Sequence, residues 1–203
     1  MIIDPKTRDH WDVYRLLSGS ILPRPIAFVS TISADGVLNL APFSFFTVAS
    51  ANPPIIAFCP MVRGGDRPKK DTLVNIEATG EFVVNICSED FAAQMNATAG
   101  EYPPEVDEFQ FSGLTPVPSE VVKPPRVKES RVNMECKLHQ LVPVSGNFLG
   151  GTMVLGEVVR FHVQDGMVNS IGEIDADKLD AIGRMAGPVY VRTKDRFEMI
   201  RPA

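Results

Sequence analysis

The sequence predicts a mainly β protein, an antiparallel barrel with a few peripheral α-helices. About seven strand-like segments occur along the chain, and they do not alternate regularly with helices as a doubly wound parallel sheet requires. The chain has 203 residues, of which 44% are hydrophobic, so one sizeable core is expected. We therefore treat residues 1–203 as a single domain.

The first strands form a predicted hairpin. Residues 25–32 have a strand pattern, residues 37–40 form the return strand, and Asp35-Gly36 between them is a common turn pair. Two further strands are predicted at residues 44–49 and 55–58. The prolines between those two strands cannot donate to a ladder, so they belong at a corner or an edge.

Two helices are predicted in the middle of the chain. Residues 71–80 combine a candidate N-cap, Asp71, with apolar residues three apart and a terminating glycine. A strand at residues 81–86 follows, and a second helical pattern covers residues 88–99. Residues 100–125 carry six prolines and little periodicity. A segment of that length without regular structure is typical of a lid or an arm.

The remainder of the chain is again rich in β patterns. Residues 127–144 and 151–163 are expected to pair as a long hairpin around a turn-like segment. A short helix is predicted at residues 175–185, and a closing strand pair or tail at residues 189–200.

Composition limits the class of partner. The chain has no run of about 18 apolar residues and no basic N-terminal region followed by an apolar stretch, so we expect a cytoplasmic protein with no membrane contact. A net charge of −5 and a pI near 5.2 argue against nucleic-acid binding, which needs a basic face. Any anion site must therefore be local.

Several common site motifs are missing from the sequence. The three cysteines are far apart, and the three histidines show no ligand spacing, so we predict neither a metal site nor a disulfide framework. No G-x-G-x-x-G follows a strand, and residues 146–151 lack the lysine of a P-loop. His139, beside Lys137 and Gln140, is kept as a candidate substrate contact; the alternative is an ordinary surface histidine.

One basic segment stands out, Arg63-Gly-Gly-Asp-Arg-Pro-Lys-Lys70. It leads into the helix predicted at residue 71, and the first N–H groups of a helix favour an anion. Arg63 and Lys70 would add full charges, Thr72 a hydroxyl donor, and Asp71 lies between the last two. The pattern fits a phosphate site; the alternative is a solvated loop capped by Asp71.

The segment Ala41-Pro-Phe-Ser-Phe-Phe-Thr-Val-Ala-Ser-Ala-Asn-Pro-Pro54 breaks the apolar/polar alternation of a half-buried strand. We interpret it as a strand with one side toward the core and the other toward a ligand, with its phenylalanines better explained as core residues than as stacking partners. The residues that could line a planar heteroaromatic ligand are Ser44, Phe45, Thr47, Ala49 and Ser50. Flavin mononucleotide (FMN) would join this wall to the phosphate site, because its ring and its phosphomonoester lie at opposite ends of a flexible chain.

A series of short motifs, taken in order and spacing, carries a family resemblance. They are Arg24-Pro-Ile-Ala-Phe-Val-Ser-Thr31, Asn39-Leu-Ala-Pro-Phe-Ser-Phe-Phe-Thr47, Asn52-Pro-Pro54, Lys70-Asp-Thr72, Asn75-Ile76, Phe82-Val-Val-Asn85, Glu135-Cys-Lys-Leu138, Gly156-Glu-Val158 and Gly183-Arg-Met-Ala-Gly-Pro-Val-Tyr190. Over most of its length the chain resembles the flavin reductase-like, FMN-binding split-barrel proteins. That family includes flavoredoxins and the reductase components of two-component monooxygenases.

The resemblance implies a six-stranded Greek-key split barrel with flanking helices, a homodimer, and FMN near the subunit interface. It places the flavin ring and ribityl chain along Ser44, Phe45, Thr47 and Ser50, and the phosphate at Lys70-Asp-Thr72. Arg184 and Tyr190 would lie near the flavin face or the partner chain as substrate contacts.

The function expected from this resemblance is an NAD(P)H:flavin oxidoreductase. NADH or NADPH would deliver hydride to N5 of bound FMN, with no obligatory catalytic side chain, and a monooxygenase or another protein would accept the electrons. Two alternatives stay open. One is an FMN-binding electron-transfer protein without NAD(P)H activity, and the other is a β-barrel binding module without flavin.

Overall fold

The computed structural model describes residues 1–202. Its strands are β1 (Ala27–Ile32), β2 (Leu38–Phe43), β3 (Phe46–Ala51), β4 (Pro54–Phe58), β5 (Glu81–Ile86), β6 (Pro116–Val117), β7 (Arg126–Val127), β8 (Val132–Ser145), β9 (Gly151–Val163), β10 (Ile182–Arg184) and β11 (Tyr190–Arg192). Its α-helices are α1 (His10–Ser20), α2 (Asp71–Thr79), α3 (Ala92–Ala97), α4 (Glu108–Ser112) and α5 (Ala176–Leu179). Short 3-10 turns lie at Pro5–Thr7 and Glu89–Phe91. Within residues 1–202, no helix combines the length and the apolar character that crossing a bilayer needs.

Seven strands form one antiparallel sheet in the order β2-β1-β5-β8-β9-β4-β3. The sheet closes on itself. Phe43 of β2 and Phe58 of β4 have ring centroids only 5.2 Å apart although four strands separate them in the sheet order. The Cys59 N–H also donates to the Phe45 carbonyl over 2.9 Å. The predicted mainly β barrel is therefore confirmed, and the β8–β9 hairpin forms where the sequence predicts it.

The core has two parts, one on each side of the sheet. The first fills the barrel, where Phe82 and Val84 are fully buried, and α2 closes one end through Leu73 and Ile76. The second lies outside β1 and β2, where Phe28 is covered by residues of α3 and α4. Full burial of one such side chain stabilises the fold by about 1.5–3 kcal/mol, so both helical layers are fixed to the sheet.

Helix α2 forms where the sequence predicts it, but it begins differently. The N-cap is Lys70, which makes no side-chain capping hydrogen bond, and Asp71 is the first helical residue. The prediction of Asp71 as the N-cap is therefore wrong. The Asp71 carboxylate instead lies 3.1 Å from the Arg67 guanidinium. A carboxylate in the first turn also interacts favourably with the helix dipole. The helix ends at Gly80, whose φ of 69° is the left-handed cap that glycine adopts readily.

Two other sequence predictions need correction, and one helix was missed. Residues 100–125 are not without regular structure, because α4 and β6 lie within them. The helix predicted at residues 175–185 is only the four-residue α5, and its second half is β10, which pairs with β11. Helix α1, capped by the Asp9 side chain, was not predicted at all. The lid or arm role of residues 100–125 remains a prediction.

Candidate functional site

A cleft of about 270 Å³, here called the wide cleft, opens between the sheet, α3 and the β10–β11 pair. Its apolar lining is Ile26, Pro42, Phe43, Phe45, Met61, Met95 and Ala99. Its polar and aromatic lining is Tyr14, Arg24, Ser44, Cys59, Lys70, Arg184 and Tyr190. An apolar wall with a few polar groups is the usual form of a site for a small organic ligand.

A second cleft of about 40 Å³, here called the narrow cleft, lies beside the start of α2. Its charged and polar lining is Asn39, Arg63, Lys70, Asp71, Thr72, Thr98, Tyr102 and Glu108. Pro42, Phe43, Lys70 and Ala99 line both clefts. The two spaces are therefore neighbours along one wall, with the cationic end at the narrow cleft.

The start of α2 is open toward an anion. No side chain caps it, and the first N–H groups of any α-helix lack intrahelical acceptors. Because the helix dipole adds positive potential at this end, a negatively charged group is favoured there. Asp71 and Thr72 both line the narrow cleft at this point.

Two cationic side chains, Arg63 and Lys70, lie beside the start of α2. The Arg63 side chain is only 7% exposed; its guanidinium donates to the Lys69 carbonyl and lies 3.4 Å from the Asp71 carboxylate. The Lys70 ammonium lies 3.6 Å from Glu101. Burial and the nearby Arg63 charge lower the pKa of Lys70. A desolvated ammonium of this kind gains more from an anionic ligand than an exposed one would.

The hydroxyl of Thr72 points into the protein. It donates a 2.7 Å hydrogen bond to the side-chain oxygen of Asn39, and Thr72 is only 1% exposed. The hydroxyl donor that the sequence suggested for a phosphate is therefore already used. Thr72 can still serve a ligand through its backbone N–H.

The buried acid of the narrow cleft, Glu108, was missed by sequence analysis. It is 6% exposed, and its carboxylate accepts hydrogen bonds from the Asn39 amide at 3.0 Å and the Leu40 N–H at 3.1 Å. Burial raises the pKa of Glu108 to about 7. No local signal marks Glu108, because its position depends on how α4 packs on β2.

Arg24 is the other missed residue. Its guanidinium, 5% exposed, donates to the Ser44 hydroxyl at 3.2 Å, the Met185 carbonyl at 3.0 Å and the Ser18 carbonyl. Burial lowers the pKa of Arg24. Within residues 1–202 no carboxylate lies within 4.0 Å of Arg24. Its charge is therefore balanced only by neutral dipoles.

The wide cleft has an aromatic and a cationic rim. The Tyr14 ring lies 6.4 Å from that of Phe45, so α1 covers one side. On another side the Arg184 guanidinium sits 4.5 Å above the Tyr190 ring. The Tyr190 hydroxyl donates to the side-chain oxygen of Asn96 over 3.0 Å, which ties β11 to α3.

The sequence model of the family described as the flavin reductase like domain matches residues 18–176 of the chain. The chain belongs to the flavin reductase-like family. Three solved structures show the same fold over almost the whole chain. Nitrilotriacetate monooxygenase component B of Bacillus cereus is 41% identical with a TM-score of 0.92, covering 98% of each chain.

The 2-nitrobenzoate 2-nitroreductase of Pseudomonas fluorescens is 30% identical with a TM-score of 0.88, covering 100% of this chain and 96% of that one. A protein of Shewanella frigidimarina with a split barrel domain is 24% identical with a TM-score of 0.86, covering 100% of both chains. The fold of this flavin reductase-like chain is thus the split barrel that its motifs indicate.

The flavin reductase-like fold brings most of the predicted site residues together. Ser44, Phe45, Lys70, Arg184 and Tyr190 line the wide cleft, and Arg63, Lys70, Asp71 and Thr72 line the narrow one. Thr47 lines an apolar depression that shares Phe45, Cys59 and Met61 with the wide cleft. Ala49, Ser50 and His139 line neither cleft. His139 is exposed at an irregularity of β8.

The broken alternation of the segment from Ala41 to Pro54 coincides with an edge strand and a bulge that the sequence does not indicate. β3 is an edge strand that pairs only with β4, and a bulge lies between Val48 and Ser50. Thr47 to Ala49 are exposed in consequence. Of the phenylalanines, Phe43 belongs to the barrel core and Phe45 lines the cleft.

Proposed function

We propose that the chain binds FMN across the two clefts and acts as an NAD(P)H-dependent flavin reductase. The observation that carries this proposal is the common wall of the clefts. An apolar space with polar edges leads directly to a small cationic space at an uncapped helix start. An apolar space followed by a cationic one suits a ligand whose heteroaromatic ring is joined by a flexible linker to a phosphomonoester.

At the narrow end, the chain offers charges and N–H groups for a phosphate. Lys70 and Arg63 supply the charges, and the first turn of α2 supplies backbone donors from Asp71 and Thr72. The Asp71 carboxylate is held by Arg67 and Arg63 and so is already neutralised. Three charge-assisted hydrogen bonds at roughly 1.5–3 kcal/mol each account for much of the −8.2 kcal/mol of micromolar binding.

At the wide end, the residues hold the ring and set the charge around it. Bound FMN supplies the two-electron chemistry, as the acceptor of hydride from NADH or NADPH. Ser44 and Phe45 form one wall, while Arg24 and Arg184 bring positive charge to the cleft. Fixed positive charge in a partly dehydrated cleft favours a ring that gains negative charge on reduction.

The partners belong to the proposal as well. A second copy of the chain would cover the exposed edge strand β3 and the apolar depression beside it, since Val48, Val144 and Met153 are exposed there. The electron acceptor would be a monooxygenase component or a small oxidised molecule. The names of the Bacillus cereus and Pseudomonas fluorescens relatives support these two classes.

The first experiment is an anaerobic absorption spectrum of the protein incubated with FMN and desalted. Retained flavin bands that bleach within seconds of adding NADH or NADPH support the full proposal. Retained bands that persist with both nucleotides would contradict the reductase activity and leave an electron-transfer protein. A colourless protein after desalting, combined with no quenching of the single tryptophan, Trp11, by added FMN, would contradict flavin binding.

A further inference from the structure

Glu108 occupies an unusual position for an acidic residue. It lines the same 40 Å³ cleft as Lys70 and Arg63, where the proposed phosphate would lie, and it is 6% exposed. Its carboxylate has no cation within 4.0 Å among residues 1–202. A buried carboxylate and a phosphate dianion in one small cleft repel each other strongly.

The surroundings of Glu108 leave one way to relieve this repulsion. From β2 it receives only neutral donors, the Asn39 amide on Oε1 and the Leu40 N–H on Oε2. The charged groups facing the cleft from α2 and the preceding loop are Asp71, Lys70 and Arg63, while α3 brings none. On its own segment, Asp107 caps α4 and Glu101 pairs with Lys70.

We propose that Glu108 takes up a proton from solvent when a phosphomonoester enters the narrow cleft, and that the resulting carboxylic acid donates a hydrogen bond to the phosphate. Each carboxylate oxygen has two lone pairs, and each uses one for its present hydrogen bond. A proton on either oxygen therefore leaves the bonds from β2 intact. Protonated Glu108 thus favours a flavin that carries a phosphate over one that lacks it.

This inference rests on the proposed FMN binding and adds a pH dependence to it. Burial raises the pKa of Glu108 to about 7 in the free protein. Above that value the proton must be taken up on binding, so the dissociation constant of FMN should rise about tenfold per pH unit. Below it, Glu108 is already protonated, and its contribution to the pH dependence should vanish. Riboflavin, which lacks the phosphate, should bind equally well throughout.

The test is isothermal titration calorimetry with FMN and riboflavin between pH 6.5 and 8.5. The phosphate of FMN is mainly a dianion across this range, since its second pKa is about 6, and it is almost entirely a dianion from about pH 7.5 upward. At pH 8 we expect uptake of nearly one proton per FMN, measured in buffers of different ionisation enthalpy. Riboflavin should take up none. Glu108→Gln should abolish the uptake and flatten the pH dependence of FMN binding.

The matched control is Glu105→Gln, which removes the same charge from an exposed position of the same segment. It should behave as the unmodified protein. An FMN affinity with the same pH dependence in Glu108→Gln would assign the effect to Lys70 and overturn the inference. FMN that binds more tightly than riboflavin with no proton uptake would overturn it while leaving the proposed function intact. FMN that binds no more tightly than riboflavin at any pH would overturn the inference and the phosphate site, while failure to bind either flavin at any pH would also remove the proposed function.

Discussion

The Thr72 hydroxyl donates a 2.7 Å hydrogen bond to the side-chain oxygen of Asn39, across the junction of α2 and β2. The same oxygen accepts a 3.2 Å bond from Thr31, and the Asn39 amide donates to Glu108. One asparagine thus joins the first turn of α2, strand β1 and the segment that carries α4. The floor of the narrow cleft is fixed from the inside of the protein.

Thr72→Val should therefore affect stability first. The change keeps the shape of the side chain but removes a buried donor, so the free energy of unfolding should fall by about 1–2 kcal/mol. Urea unfolding at an unchanged m-value measures this. Thr47→Val, at an exposed position of β3, should stay within about 0.5 kcal/mol. A variant at Thr72 that lost FMN affinity with full stability would show that the hydroxyl contacts the ligand.

Lys70→Ala should weaken FMN binding and spare riboflavin. Loss of one charge-assisted contact of roughly 1.5–3 kcal/mol corresponds to a tenfold or larger rise in the dissociation constant of FMN. Fluorescence titration of each flavin gives the comparison. The neighbouring Lys69 pairs with Glu77 at 2.7 Å and lines neither cleft, so Lys69→Ala is the control and should leave both affinities unchanged. Equal losses for the two flavins would place the phosphate elsewhere.

Gly156→Ala should be strongly destabilising. A Cβ at this position would lie 2.2 Å from Cζ of Phe82, which is fully buried in the barrel. Overpacking of this kind costs about 1–3 kcal/mol, measurable as a lower urea midpoint. Gly146→Ala, where a Cβ would meet nothing within 4 Å, should be nearly neutral. Similar urea midpoints for the two variants would mean that the barrel around Phe82 relaxes to accommodate the added methyl group at little energetic cost.

Glu135 should make the protein sensitive to acid. Burial by itself raises its pKa, but hydrogen bonds from the Glu120 N–H, the His162 ring and the Val121 N–H outweigh burial and lower it below the usual 4.5. A carboxyl with a lowered folded-state pKa stabilises the fold above the unfolded value and loses that effect as pH falls through the folded value.

The stability difference between the unmodified protein and Glu135→Gln should therefore be large at pH 6 and shrink steadily below pH 4.5, which is the ordinary value of this group. Urea unfolding at a series of pH values measures it. Glu105→Gln, exposed and outside this network, should show no such trend. A difference that stays constant from pH 6 to pH 3 would mean that Glu135 has the same pKa in the folded and the unfolded protein, which would contradict the prediction.

The sequence predicts those parts of the fold that have local signals. Helix α2 carries an apolar spacing of three and ends at Gly80, and the long hairpin has two β-rich segments around a turn. Lys70 and Arg63 were found because a basic run stands next to a helix start. Glu108 and Arg24 were not assigned a role, because each acquires it only when distant segments meet. Ser50 and Ala49 line neither cleft, and the bulge in β3 that shifts them leaves no clear mark in the sequence.

Arg24 and Met185 are hydrogen-bonded across 161 positions of the chain. During translation at about 5–20 residues per second, roughly ten to thirty seconds pass between the emergence of the first and that of the second. Throughout that interval the guanidinium lacks one of the acceptors that hold it beside Ser44. The wide cleft is thus completed late in vectorial folding, and a nascent chain arrested before β10 would carry a nearly complete barrel that lacks one side of this cleft.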